Sequence, residues 1–234
     1  MLNISDADIK FQIENLKVTV IHMNYGVFYK PFPKHRHGNN FYEAHLVTSG
    51  SGTLIADGKE YKLSQGVLYM TGPLVVHEQI PEVSDPMDEY CIQFELRENK
   101  RQKGGRIAAL LKETTFWLGE DTQNIGLYFE LLAKEEEHKQ TGYLESVTNI
   151  ANLILIALVR NYAGNGQSTE YVKITPDDKR MVITDNSFLY DSEELKLTDL
   201  AERLNLSTRQ TERFLKKAYG KTFLELRKET KNRK

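Results

Sequence analysis

The chain has 234 residues, 40% apolar and 27% charged, with a formal net charge of −2. That length suggests one large or two small domains, and the apolar share is ample for folded cores, which excludes a disordered or fibrous chain. Charge is uneven: residues 1–176 carry 17 basic and 22 acidic side chains, residues 177–234 carry 14 and 11. An acidic front and a basic tail suit a sensing domain joined to a nucleic-acid domain. Cys91 is the only cysteine, so no intrachain disulfide can form, and its setting EYCIQFEL reads as a buried strand with an inert thiol. The N-terminus has no basic leader or apolar signal region, and the most apolar run, residues 150–159, is too short to span a bilayer. A cytoplasmic protein without a membrane partner is expected.

Along the chain, residues 1–10 read as a frayed lead-in. Residues 11–29 are rich in β-branched and aromatic side chains and read as strands. Residues 30–40, KPFPKHRHGNN, read as a loop or strand end. Residues 41–47 form a strand, and two more flank Asp57-Gly58, a strong hairpin signal. Residues 66–71 and 89–96 complete a set of short strands, the pattern of a sandwich or barrel. Beyond Arg97 the period changes, and helices are predicted over 103–118 and 124–139. Residues 143–162 are the strongest helix, with Leu144, Val147, Ala151, Ile154 and Leu158 in one stripe and Ile150, Leu153, Ile156 and Val159 widening it. Such a helix is buried on two sides, by the barrel and by a second copy of the chain, or lies wholly inside. Residues 163–169, AGNGQST, read as a linker, and Thr175-Pro176-Asp177-Asp178 as the start of a new helix.

Residues 197–223 carry the densest information. Leu197, Leu200, Ala201 and Leu204 recur at helical spacing, and Asn205 to Ser207 make a turn. Ser207 with Gln210 is a capping box, and Gly220 a C-cap, so a second helix runs over 208–218. Phe214, Leu215 and Ala218 turn inward with Leu206, while Arg209, Glu212 and Arg213 share an outward face. From Arg203 onward there are 11 Lys or Arg against 3 Asp or Glu, a phosphate-binding balance. A merely solvated helical hairpin is the plain alternative.

The words DLAERLNLS and RQTERFLKKAYGKTF resemble the first helix-turn-helix of the AraC/XylS family of bacterial transcription regulators. The resemblance implies that Arg209, Glu212 and Arg213 meet base edges. It places Thr208 near a phosphate; Lys216 and Lys217 are expected at phosphates by their charge, and Ser207 completes the expected DNA-binding set. Arginine can fork onto guanine and glutamate can accept from cytosine. Thr211 departs from the pattern, which favours leucine there. The family carries two such units joined by a long helix, and here the chain ends 11 residues after Phe223, so the DNA-binding domain is incomplete relative to it.

A second constellation lies in the front domain. HRH at 35–37 and Glu43, then Gly50 after six intervening residues, resemble the first motif of the cupin barrel. Gly66, then GPLVVH ending at His77 after five intervening residues, resembles the second. The spacing from His37 to Glu43 is long for the motif, and the glycine and proline are transposed. AraC/XylS regulators commonly use such a barrel as sensor. The expected architecture is therefore α+β: residues 1–165 a cupin-like effector-binding and dimerisation domain, residues 166–234 an incomplete helix-turn-helix domain. Expected effector contacts are His37, Glu43, Tyr69 and His77, with no cofactor. His35, His37, Glu43 and His77 could alternatively hold a divalent metal. His22, His45 and His138 match no motif. The expected function is a DNA-binding regulator, not an enzyme, responding to a small molecule. DNA, the effector and a second copy are the expected partners, with RNA polymerase a further candidate. The alternative is a metal-dependent cupin enzyme, a dioxygenase or isomerase.

Overall fold

The computed structural model describes residues 2–5, 8–164, 167–170, 175–191 and 194–232. Ten strands come first: β1 Asn3–Ser5, β2 Lys10–Ile13, β3 Leu16–Phe28, β4 Phe32–His35, β5 Phe41–Ser49, β6 Ser51–Ala56, β7 Lys59–Ser64, β8 Val67–Thr71, β9 His77–Pro81 and β10 Met87–Glu98. Then follow α1 Arg106–Glu113, β11 Thr114–Glu120, α2 Ile125–His138, α3 Tyr143–Gly164, β12 Gln167–Glu170, α4 Pro176–Tyr190, α5 Leu197–Arg203, α6 Thr208–Tyr219 and α7 Phe223–Asn232. The larger sheet is ordered β1-β3-β10-β5-β8-β11-β12, with β2 also on β3, and the smaller is β4-β9-β6-β7. The expected α+β architecture is what the chain adopts.

Local chemistry explains most of these elements. Asp57 and Gly58 take φ of 48° and 79°, the paired left-handed values of a tight hairpin turn between β6 and β7. The Thr175 and Asp178 side chains cap α4 reciprocally, as Ser207 and Gln210 cap α6. Gly220 ends α6 at φ 68°, where a Cβ is penalised.

Three sequence expectations need correction. The expected frayed lead-in over 1–10 does not hold for the described residues 2–5 and 8–10: β1 pairs with β3, and Leu2, Ile4 and Ile9 are buried in the main core. The helix predicted over 103–118 stops at Glu113, and Thr114–Glu120 pairs with β8 instead. Thr114, Thr115, Phe116 and Trp117 are β-branched or aromatic, and they favour the pleated surface once β8 offers an edge. Ala218 faces solvent, while Thr211 takes the buried slot beside Phe214 and Leu215. The strand β9 was not expected either. Of the expected linker, 167–170 form β12 on β11, and 165–166 lie outside the described residues.

α3 packs on α1, α2, β2 and β11, so α2 supplies much of the second side that its wide stripe demands. It is long and apolar enough to cross a membrane by length and composition, but Val147, Ala151, Ile154, Leu155 and Leu158 sit in the barrel's core cluster. Leu144 and Leu153 on α3, with Leu127 and Leu131 on α2, remain exposed. A separate core of Phe188, Leu195, Leu200, Leu204, Phe214, Leu215 and Phe223 holds the helix-turn-helix together.

Thr211 tests the packing of that second core. Its hydroxyl is buried with no hydrogen-bond partner, and an unmet buried hydroxyl costs about 1–3 kcal/mol. Thr211→Val should therefore raise the unfolding free energy of the helical unit by about 1 kcal/mol, read from its denaturant midpoint. A lowered midpoint would mean that the hydroxyl has a partner.

Candidate functional site

Five of the chain's six histidines enter the barrel. The cause is register. Strands β3, β10 and β5 lie side by side, and their inward positions form two rows: His22–Gln93–Glu43 and Asn24–Cys91–His45. Across the interior, His35 on β4 is in register with His77 on β9, and His37 bridges to Pro73. Alternation puts His35 and His37 inside and Arg36 outside.

His35, His37, Glu43 and His77 are all buried, and their donor atoms lie within 4.8 Å of one another. Glu43 Oε2 is 2.9 Å from His37 Nε2 and 3.6 Å from His77 Nε2. His35 Nδ1 donates to the Pro33 carbonyl at 2.9 Å, and His77 Nδ1 to the Val75 carbonyl at 3.0 Å. Those backbone bonds fix the tautomer and leave a lone pair on each Nε2, with the Thr71 hydroxyl 3.5 Å from that of His77. Burial pushes His35 well below the ordinary imidazole range and lowers His77, so both are neutral. Burial alone would raise the Glu43 carboxyl, but His37 and His45 hold it well below the usual carboxylate range. Neutral imidazoles around one carboxylate are a donor set for a divalent cation.

Behind this set lies a second layer. His45 Nδ1 is 2.7 Å from Glu89 Oε1, and Gln79 Nε2 donates to Glu89 Oε2 at 2.8 Å and to the Tyr69 hydroxyl. Burial opposes protonation of His45, but Glu89 leads the charges that lift it well above the ordinary range. Tyr69 stacks on His45 with ring centres 4.7 Å apart and is wholly buried. Of the four expected effector contacts, His37, Glu43 and His77 meet directly, while Tyr69 stands one layer away. None of the three described cavities is lined by His37, Glu43, Tyr69 or His77. His22 and His45, assigned nothing from motifs, belong to the cluster. The usable signal was parity: His45 follows Glu43 by two on one strand, and Glu89, Cys91 and Gln93 alternate on β10.

The helical unit faces this cluster from outside. Arg36 Nε donates to Asp185 Oδ2 at 2.6 Å, and Asp185 Oδ1 accepts from the Tyr219 hydroxyl at 2.7 Å. Tyr219 is the last residue of α6. On α6, Thr208, Arg209 and Arg213 are exposed, and neither arginine has an ion pair among the described residues. Glu212 is half-buried, and its carboxylate accepts the Phe223 amide at 3.3 Å, tying α6 to the start of α7. Lys216 lies 3.8 Å from Glu225, and Lys217 3.1 Å from Asp177. Ser207 is occupied by its cap.

Residues 29–103 match the family described as the AraC-like ligand binding domain. That part of the barrel, from Tyr29 through the histidine set, is similar to an AraC-like ligand binding domain, in line with the resemblance. None of the curated proteins compared matches the chain. Among solved structures, the AraC-like transcriptional activator CuxR aligns over 94% of this chain and 77% of its own, at 12% identity and TM-score 0.39. ToxT from Vibrio cholerae aligns over 92% and 79%, at 13% identity and TM-score 0.40. A cupin protein from Bacteroides fragilis covers 46% of this chain and 89% of its own, at 20% identity and TM-score 0.30.

Cys91 is 6% exposed, and burial pushes its thiol up to about 12. In the folded, metal-free chain it should resist a thiol reagent at pH 8 and react on unfolding. Stoichiometric labelling of the native chain within seconds would contradict that burial.

Proposed function

We propose that this chain is a ligand-responsive regulator of transcription. Its barrel takes a divalent cation, and α5–α6 binds DNA. One observation carries the reading. The segment 35–37 turns His35 and His37 into the buried donor set and Arg36 out onto Asp185 of the helical unit. Ligand state in the barrel and position of the helices thus share three consecutive residues.

His35, His37, Glu43 and His77 would hold the cation. It would replace the attraction between His37 and Glu43 and pull both arms of the set together, a change that Arg36 transmits to Asp185 and Tyr219. On α6, Arg209 and Arg213 would reach base edges, Thr208 the backbone, and Lys216 and Lys217 phosphates after leaving Glu225 and Asp177. Glu212 is the weaker candidate for a base edge, because its carboxylate already serves the Phe223 amide. The exposed leucines of α2 and α3 favour a homodimer, which would present two helix-turn-helix units to adjacent half-sites. Such a regulator acts in the cytoplasm, with RNA polymerase as a further partner.

A small organic effector at His37, Glu43, Tyr69 and His77 is the second reading, favoured by the Tyr69 hydroxyl beside Gln79. It requires Tyr69 to leave its stack on His45, which a cation does not. A cupin-type enzyme would further need room for substrate beside the donors, and no described cavity opens on Glu43 or His77.

The test is DNA affinity of the full chain with and without manganese or zinc. Coupling between two sites of this kind is typically about 5–150-fold. Arg36→Gln should still bind the cation, since it removes no donor, and should reduce that ratio towards one. An equal ratio in Arg36→Gln and the unaltered chain would sink the proposed link.

Base reading is tested separately, on duplexes selected in vitro and on random duplex across a salt series. Arg213→Ala should cost roughly 1–3 kcal/mol on the selected sequence only, while Lys217→Ala weakens both and lowers the salt slope by about one. If Arg213→Ala weakens both duplexes by the same factor, α6 does not read bases.

A further inference from the structure

The Glu43 carboxylate has two oxygens, and the donor set above uses only Oε2. Its other oxygen, Oε1, faces a different pair of donors: Cys91 Sγ at 3.5 Å and His22 Nε2 at 3.7 Å. Cys91 Sγ and His22 Nε2 are themselves 3.6 Å apart. A tetrahedral zinc ion, with bonds of about 2.3 Å to sulfur and about 2.0–2.1 Å to nitrogen or oxygen, needs donors about 3.4–3.6 Å apart. The three observed edges, from 3.5 to 3.7 Å, match one face of that tetrahedron. The Cys91 thiol donates a long, weak hydrogen bond to Glu43 Oε1, and His22 Nε2 stands too far from that oxygen for one of its own.

A neighbour points the same way. Asn24 is directly opposite Cys91 on β3, and its Oδ1 is buried without a hydrogen-bond partner. Unmet polar atoms are uncommon in folded proteins and call for an explanation such as a missing ion. His22 is the one partly exposed donor, with 29% of its side chain accessible, and it gives solvent a route to the group.

We propose that His22 Nε2, Glu43 Oε1 and Cys91 Sγ form a second metal position, for a thiophilic divalent ion such as zinc or cobalt. The Glu43 carboxylate then bridges it to the histidine set. Binding forms a metal–thiolate bond and releases the thiol proton to solvent, with no change of oxidation state. Sulfur makes this position selective for borderline ions over magnesium or calcium, which take oxygen. It goes beyond the histidine set and does not need that set to be filled.

The experiment is a cobalt(II) titration of the full, metal-free chain followed by absorption. The unaltered chain should develop a sulfur-to-cobalt charge-transfer band in the near ultraviolet. Cys91→Ser, close in size to the native residue, should lose the band and one equivalent of cobalt. His22→Gln, at the partly exposed position, should weaken cobalt binding at the band at least tenfold, which keeps the test valid if Cys91→Ser fails to fold. His77→Ala should keep the band, which separates this position from the histidine set. An unaltered chain that binds cobalt with no such band overturns the proposal, as does one that binds none. Cys91→Ser binding as many equivalents as the unaltered chain overturns it too.

Discussion

A buried carboxylate governs the architecture of the barrel. Glu43 is 7% exposed, and a lone carboxylate at that depth would take up a proton. It stays charged because His37 and His45 offset its burial, and five strands converge on it: His22 from β3, His35 and His37 from the β4 end, His45 from its own strand, His77 from β9 and Cys91 from β10. Removing one partner of such a buried group costs about 3–5 kcal/mol, whereas the intact set contributes little net stability. His45 sits between Glu43 and Glu89 and links the first layer to the second.

The same strands explain how the cluster reaches outward. Backbone alternation makes residues 35–37 two-faced, so the donor set cannot move without moving Arg36. Arg36 and Asp185 are mostly shielded from water, with side-chain exposures of 15% and 11%. Burial raises the Asp185 carboxyl, and Arg36 offsets that shift. Tyr219 binds the other oxygen of Asp185 and the Met181 carbonyl, which fixes the C-terminal end of α6 against α4. The path from barrel to α6 is therefore short and polar. Its members have few alternative partners, which is the condition for a two-state contact.

Much of this was legible in the sequence. The hairpin at Asp57-Gly58, the long helix from Tyr143, and the caps at Thr175, Ser207 and Gly220 rest on local chemistry. What was missed depended on pairing across the chain. Strand β9 was hidden because its inward positions, His77 and Gln79, are site residues rather than apolar ones, so alternation of hydrophobicity vanished where the site begins. β11 was hidden because the helical spacing of α1 runs on into Thr114–Glu120, and only β8 decides the matter. His22 and His45 carry no motif. Their place in the cluster follows from the register of β3, β10 and β5, which no single segment encodes.

The account stands on Glu43 as the shared ligand of a cation, so the most direct measurement is a calorimetric zinc titration of the unaltered chain against Glu43→Gln. Glutamine keeps the size of the side chain and removes its charge. The account predicts zinc binding with proton release in the unaltered chain. In Glu43→Gln it predicts affinity lowered at least tenfold, with the fold retained by circular dichroism. Zinc binding of unchanged affinity and stoichiometry in a folded Glu43→Gln chain would contradict it.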